Sequence, residues 1–115
     1  MALDRGKLSN VVVVSAGTTV GIITVASSKK VYVKSILAHS VGIGSTAKGQ
    51  VYFVPNGGTS NSINNRIFDV DLSENETVML EPSYPLVLDT TGDAIFVGAG
   101  VSTVNFLITG DKEAW

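Results

Sequence analysis

The chain contains no cysteine, so a disulfide framework, a thiolate nucleophile and a cysteine-ligated zinc are all excluded. It has one histidine, His39, which leaves little material for acid–base or metal chemistry. Charge is sparse: Asp, Glu, Lys and Arg make up 16% of 115 residues, against about 25% in an ordinary soluble domain. The formal net charge is -2. Arg5, Lys29, Lys30, Lys34, Lys48 and Arg66 are spread among more numerous acids, so no basic stripe tracks phosphates and direct nucleic-acid binding is disfavoured. No run approaches the ~18 apolar residues of a membrane-spanning helix. The polar first ten residues, followed only by Val11 to Val14, do not read as an export signal. No stretch sustains a helical period.

What is present is a succession of short segments rich in Val, Ile, Phe and Tyr, residues that suit a pleated surface. They run Val11 to Val14, Val20 to Val25, Val31 to Val41, Val51 to Val54, Ile67 to Leu72, Val78 to Leu80, Leu86 to Leu88, Ile95 to Val97 and Val104 to Ile108. Gly, Ser, Asn and Asp separate them. The expected fold class is all-β: a single-domain antiparallel β-sandwich of about eight to nine strands, with a jelly roll as one form it can take. One domain is expected because a second would be too small to bury its own core. Hydrophobic residues make up 44% of the chain, and with so few charges some apolar surface is expected to meet another subunit.

Within this pattern, Val31 and Val33 share one parity while Ile36 and Ala38 share the other. A bulge or bend near Lys34–Ser35 would restore a common direction. Phe68, Val70 and Leu72 alternate with Asp69 and Asp71. Ser73-Glu-Asn-Glu76 reads as a tight turn, so residues 67–72 and 77–80 are expected to form a hairpin. The expected core includes Phe68, Val70, Val78, Leu80, Val104, Phe106 and Ile108. Pro55 to Ser62 is the longest polar break and the expected partner-facing loop. Gly110 is expected to end the last strand. Residues 1 to 10 read as an N-terminal arm, 11 to 110 as the sandwich, and 111 to 115 as a C-terminal tail; removing either arm is expected to spare the fold.

Catalytic constellations do not assemble on paper. His39 and Ser40 are strand neighbours and so point to opposite faces, which forbids a Ser–His pair within one sheet. Asp69 and Asp71 lie about 7 Å apart on one strand face, a spacing two glycosidase carboxylates can have, but a solvated face explains them as well. Asp89 and Asp93 flank a turn that lacks the further oxygen ligands of a calcium loop. No catalytic residue, metal ligand or cofactor site is assigned. The residues selected for partner contact are Leu3, Arg5, Leu8, Asn56, Tyr84 and Trp115: apolar or aromatic anchors set among charges in the arms, and exposed loop positions.

Four stretches carry a resemblance: Ile23-Thr-Val-Ala-Ser-Ser-Lys-Lys-Val-Tyr-Val-Lys-Ser-Ile36, Gln50-Val-Tyr-Phe-Val-Pro-Asn-Gly-Gly58, Asn65-Arg-Ile-Phe-Asp-Val-Asp-Leu72 and Pro85-Leu-Val-Leu-Asp-Thr-Thr-Gly-Asp-Ala-Ile95. Their order resembles that of small virion structural proteins of tailed bacteriophages, over residues 20 to 110. The first turn, Ala26-Ser-Ser-Lys29, lacks the Pro and Gly of the family pattern. The resemblance implies a non-catalytic capsid decoration or cement subunit on the head surface, or a neck or tail accessory protein. It further implies self-association, most simply as a homotrimer, contact with the major capsid protein or another virion structural protein, and a place in the virion after assembly in the host cytoplasm. No membrane partner is implied. The competing class is a receptor- or carbohydrate-binding module of a fibre, using Tyr32, Tyr52 or Tyr84 with loop Asn and Asp side chains. A small hydrolase would need the acid–base pair that the chain does not supply.

Overall fold

A computed structural model describes residues 3–27, 29–42 and 45–113, with side chains from residue 5 onward. Among the described residues there are ten strands: β1 Leu3–Lys7, β2 Val12–Val14, β3 Thr19–Thr24, β4 Val31–Ser40, β5 Ala47–Val54, β6 Arg66–Leu72, β7 Thr77–Leu80, β8 Leu86–Leu88, β9 Ala94–Gly100 and β10 Val104–Glu113. Each of the nine apolar segments in the sequence has become a strand, and β1 is the addition. The one helical element is a 3-10 turn at Ile63–Asn65, capped by the Ser62 hydroxyl, which accepts from the Asn64 N–H.

The strands build two antiparallel sheets. In the first the order is β1-β10-β4-β7; in the second it is β3-β9-β5-β6. β1 and β2 pair successive stretches of β10, and β8 and β7 pair successive stretches of β4. The first sheet is therefore four lanes wide, with each edge lane made of two short strands. The pairings β2 with β10, β3 with β9, β4 with β7 and β8, and β5 with β6 nest inside one another. A long hairpin rolled into two facing sheets has this nesting, and it is the jelly-roll arrangement. Val14, Ile36, Val51, Leu72, Ile95 and Phe106 meet between the sheets, each at most 1% exposed. This alternation of buried and outward residues is what makes the two layers adhere.

The parity break in β4 is a bulge. Thr109 pairs with Ser35 and Gly110 with Val33, which leaves Lys34 as the extra residue. Val33 and Ile36 both reach the core as a result. Gly110 lies beside the bulge, where a Cβ would overlap the Tyr32 carbonyl oxygen. Glycine is thus used for close approach of two backbones, and it does not end β10, which continues to Glu113.

Three further expectations are corrected. Residues 67–72 and 77–80 do not form a hairpin: β6 pairs with β5 and β7 with β4, so Ser73–Glu76 is an arch from one sheet to the other. The arch is held by Glu76 N–H donating to the Ser73 carbonyl and by Ser73 N–H donating to the Glu76 carboxylate, with Asn75 at φ 59. Phe68, Val70, Val78 and Leu80 pack against the core but are only half-buried, because β6 and β7 are edge strands; Val104, Phe106 and Ile108 are fully buried. Finally, the segments set apart as arms enter the first sheet where they are described. Leu3–Lys7 pairs residue for residue with Thr109–Glu113, and Gly6 adopts φ 130 at an edge that demands no side-chain packing there.

Candidate interaction surface

Most of the polar groups that invite a chemical reading are absorbed by a neighbour. His39 Nδ1 lies 2.7 Å from Thr77 Oγ1 on the adjacent strand. Ser40 turns the other way and is buried, its hydroxyl without a partner among the described residues. Lys48 lies between the two carboxylates of β6, 3.3 Å from Asp71 and 3.6 Å from Asp69, and Arg66 adds a contact of 3.5 Å to Asp69. The hydrogen bond to Asp71, aided by the charge of both carboxylates, raises the Lys48 pKa above its ordinary 10.5. These acids are thus parts of an ion-pair network on an exposed face. Among the described residues there is no group of three or more His, Asp or Glu placed to hold a metal ion, and no pocket opens in the surface.

Three loops converge at one end of the sandwich. Val25 N–H donates to the Asp93 carbonyl, Gly92 N–H donates to the Val25 carbonyl, and Asn56 N–H donates to Asp93 Oδ1. Gly92, at φ 90, lies beneath the Asn56 side chain, where any Cβ would collide. The loop that begins at Pro55 is therefore pinned to the Asp89–Asp93 turn, and Asp93, a calcium candidate from sequence, is 8% exposed and serves this joint.

The residues selected for partner contact are not brought into one patch. Arg5 is exposed on β1, with its guanidinium 3.7 Å from Asp111. Leu8 packs against the core. Asn56 is at the loop end just described. Tyr84, in the connection between β7 and β8, is 85% exposed. Leu3 contributes backbone to β1, its side chain lying outside the described residues, as does Trp115 altogether. The three tyrosines also separate: Tyr32 lies on the outer side of the first sheet, while Tyr52 lies on the second sheet, nearly buried, donating to Gln50 Oε1.

An apolar surface lies on the outer face of the first sheet. Leu107, Leu37 and Met79 are paired across β10, β4 and β7 and form one row. Val11, one residue before the Val12–Phe106 pair, falls level with it. The next row is Val13, Asn105, His39 and Thr77. Val11, Val13 and Met79 are all about half exposed or more, with Val13 at 63%. These side chains, gathered at cross-strand positions, make one continuous apolar surface on an open face.

Charge is also segregated in a way composition concealed. Arg5, Lys7, Lys29, Lys30, Lys34 and Lys112 all belong to β1, the end of β10 or the start of β4 with its preceding loop. Within this group Lys34 reaches Asp111 at 2.9 Å. Residues 67 to 111 contain no lysine or arginine but eight acids. Glu74, Glu76 and Glu81, all exposed, lie along β7 and its two flanking turns. That long cation-free stretch was the available sequence signal; it takes the pairing of residues 3–7 with 109–113 to turn it into a spatial asymmetry.

No family model and no curated protein matches the chain. Among solved structures, it is similar in outline to a chain of the infectious bursal disease virus Gt strain, with a TM-score of 0.42 and 9% identity. A mutant VP2 protein of the same virus, in derived T=1 particles, gives 0.41 and 10%. In both, the likeness covers 96% of this chain and 30% of the other, so the chain spans about a third of the length of those it matches. At these scores the likeness carries no functional assignment.

Proposed function

We propose that this chain is a non-catalytic structural subunit of a tailed-phage particle, acting as a decoration or cement protein that binds the head surface as a symmetric oligomer. The observation that carries the reading is the outer face of the first sheet, where Val11, Val13, Leu37, Met79 and Leu107 form an apolar surface on a domain with few charges. The order of turn and strand motifs that resembles phage virion proteins supports the same reading. Both edge lanes of that sheet are short, broken strands, which confines any contact along an edge to a few residues.

The test is to identify the proteins of purified phage particles whose genome encodes this chain, and to assign its density in an image of the particle. The expected result is a fixed number of copies on the head, related by symmetry. Its absence from the particles would overturn the reading; density at the neck or tail would move it to the accessory class. The fibre-module alternative requires aromatic rings converging on one site, and Tyr32 and Tyr52 lie on opposite outer faces.

A further inference from the structure

We infer that copies of this chain associate head to tail through the two edges of the first sheet, the β1/β2 edge of one copy meeting the β7/β8 edge of the next. This deepens the building-subunit reading and rests on it only in that copies meet one another. The argument begins with the rows that cross the sheet. Lys7 is level with Thr109 and Ser35. Glu81, one residue beyond the Leu80–Ile36 pair, falls level with Ser35 on the far edge. One row therefore ends in Lys7 on one side and Glu81 on the other. The next ends in Val11 and Met79, and the one after in Val13 and Thr77.

Opposite ends of the same row are thus complementary: cation against anion, then apolar against apolar. Both charged side chains are exposed. Among the described residues Lys7 donates to Asn10 and forms no ion pair, and Glu81 has no polar partner. Two copies related by a displacement across the sheet bring the rows into register without a change of orientation.

The strand directions agree as well. β2 is antiparallel to β10, β10 to β4, and β4 to β7. A neighbour's β7 placed beside β2 in the same orientation is therefore antiparallel to it, which continues the sheet's pattern. Lys7 then faces Glu81 of the next copy, and Val11 faces Met79. An edge-to-opposite-edge contact is heterologous: repeated by displacement alone it makes an open row, and a rotation added between successive copies closes it into a cyclic oligomer, trimers included.

Sedimentation velocity of the full chain across a wide concentration range is the test. The expected result is an average mass that rises with concentration and falls again between about 0.05 M and about 0.5 M salt, because exposed charge pairs are screened. Lys7→Glu and Glu81→Lys should each weaken association by about tenfold. Mixing the two variants should restore it, since each reversed edge then meets a reversed partner, and the double variant should associate by the same logic. Restoration in either sample upholds the interface and shows that the variants fold. A wild-type chain that stays monomeric, single variants that associate unchanged, or failure of both restorations overturns it. A monomer that is nonetheless present in particles would remove this interface and leave the virion reading; an oligomer absent from particles would do the reverse.

Discussion

Gly110 lies on β10 against the bulge in β4, where a side chain would overlap the Tyr32 carbonyl, and the buried backbone there has no room to withdraw. Gly110→Ala should therefore lower stability by about 3 kcal/mol or prevent folding, as read by denaturant melts. Gly49 is also buried, but a Cβ there would meet Leu72, Phe106 and Val70 at ordinary contact distances of 3.5 to 3.7 Å. Gly49→Ala should be neutral or should stabilise by about 0.5 kcal/mol, because alanine restricts the unfolded chain. A larger loss from Gly49→Ala than from Gly110→Ala would contradict the packing described. The same contrast applies to phenylalanines. Phe106 is fully buried between the sheets and Phe68 is half-buried on an edge strand. Phe106→Ala should cost about 3 to 5 kcal/mol and Phe68→Ala clearly less, in the same melts. At this scale the sequence pattern told which side of a strand is apolar. It did not tell edge from centre, and that difference sets how deeply Phe68 or Val78 is buried.

Among the elements, the β4 bulge was legible because it leaves a local trace: the apolar parity switches between Val33 and Ile36, and one extra residue is the least rearrangement that restores it. The arch between β6 and β7 was not legible. A four-residue polar turn can join two strands of one sheet or pass between two sheets, and its own composition is the same in both cases. The turn between β9 and β10 carries a different signature. Val101 has φ 67 and is 72% exposed, and Ser102 N–H donates to the Gly100 carbonyl to close a three-residue turn. A β-branched residue in this conformation is strained. Val101→Gly should therefore raise stability by about 1 kcal/mol in chemical denaturation. A drop on that substitution would show that the valine makes a packing contact which outweighs its strain.

For the whole molecule, the placement of β1 changes the expected outcome of truncation. Leu3–Lys7 completes an edge lane against the last five residues of β10, and Arg5 lies near the largely buried Asp111. Deleting residues 1 to 7 should lower Tm by several degrees while the nested strand pairs of the sandwich still assemble. An unchanged Tm would show that the lane contributes nothing to the fold and would restore these residues to the role of an arm. Particle occupancy measured on the same truncation separates that structural contribution from docking.

Legible in the sequence alone were the all-β class, nine of the ten described strands, the inward parity of residues 67–72, 78–80 and 104–108, and the bulge in β4. All of these rest on relations between residues a few positions apart: period-two alternation, turn chemistry, and a break in parity. Which strands are neighbours is a matter of long-range packing, because pairing joins residues as distant as Leu3 and Glu113 and no local pattern encodes that distance. From that packing follow the jelly-roll nesting, the conversion of an expected hairpin into an arch, and the recruitment of residues 3–7 into a sheet. The apolar outer face of the first sheet follows too. Val11, Leu107, Leu37 and Met79 are scattered along the chain and form one row only when β10 and β4 lie side by side, and Lys7 and Glu81 become the two ends of another for the same reason.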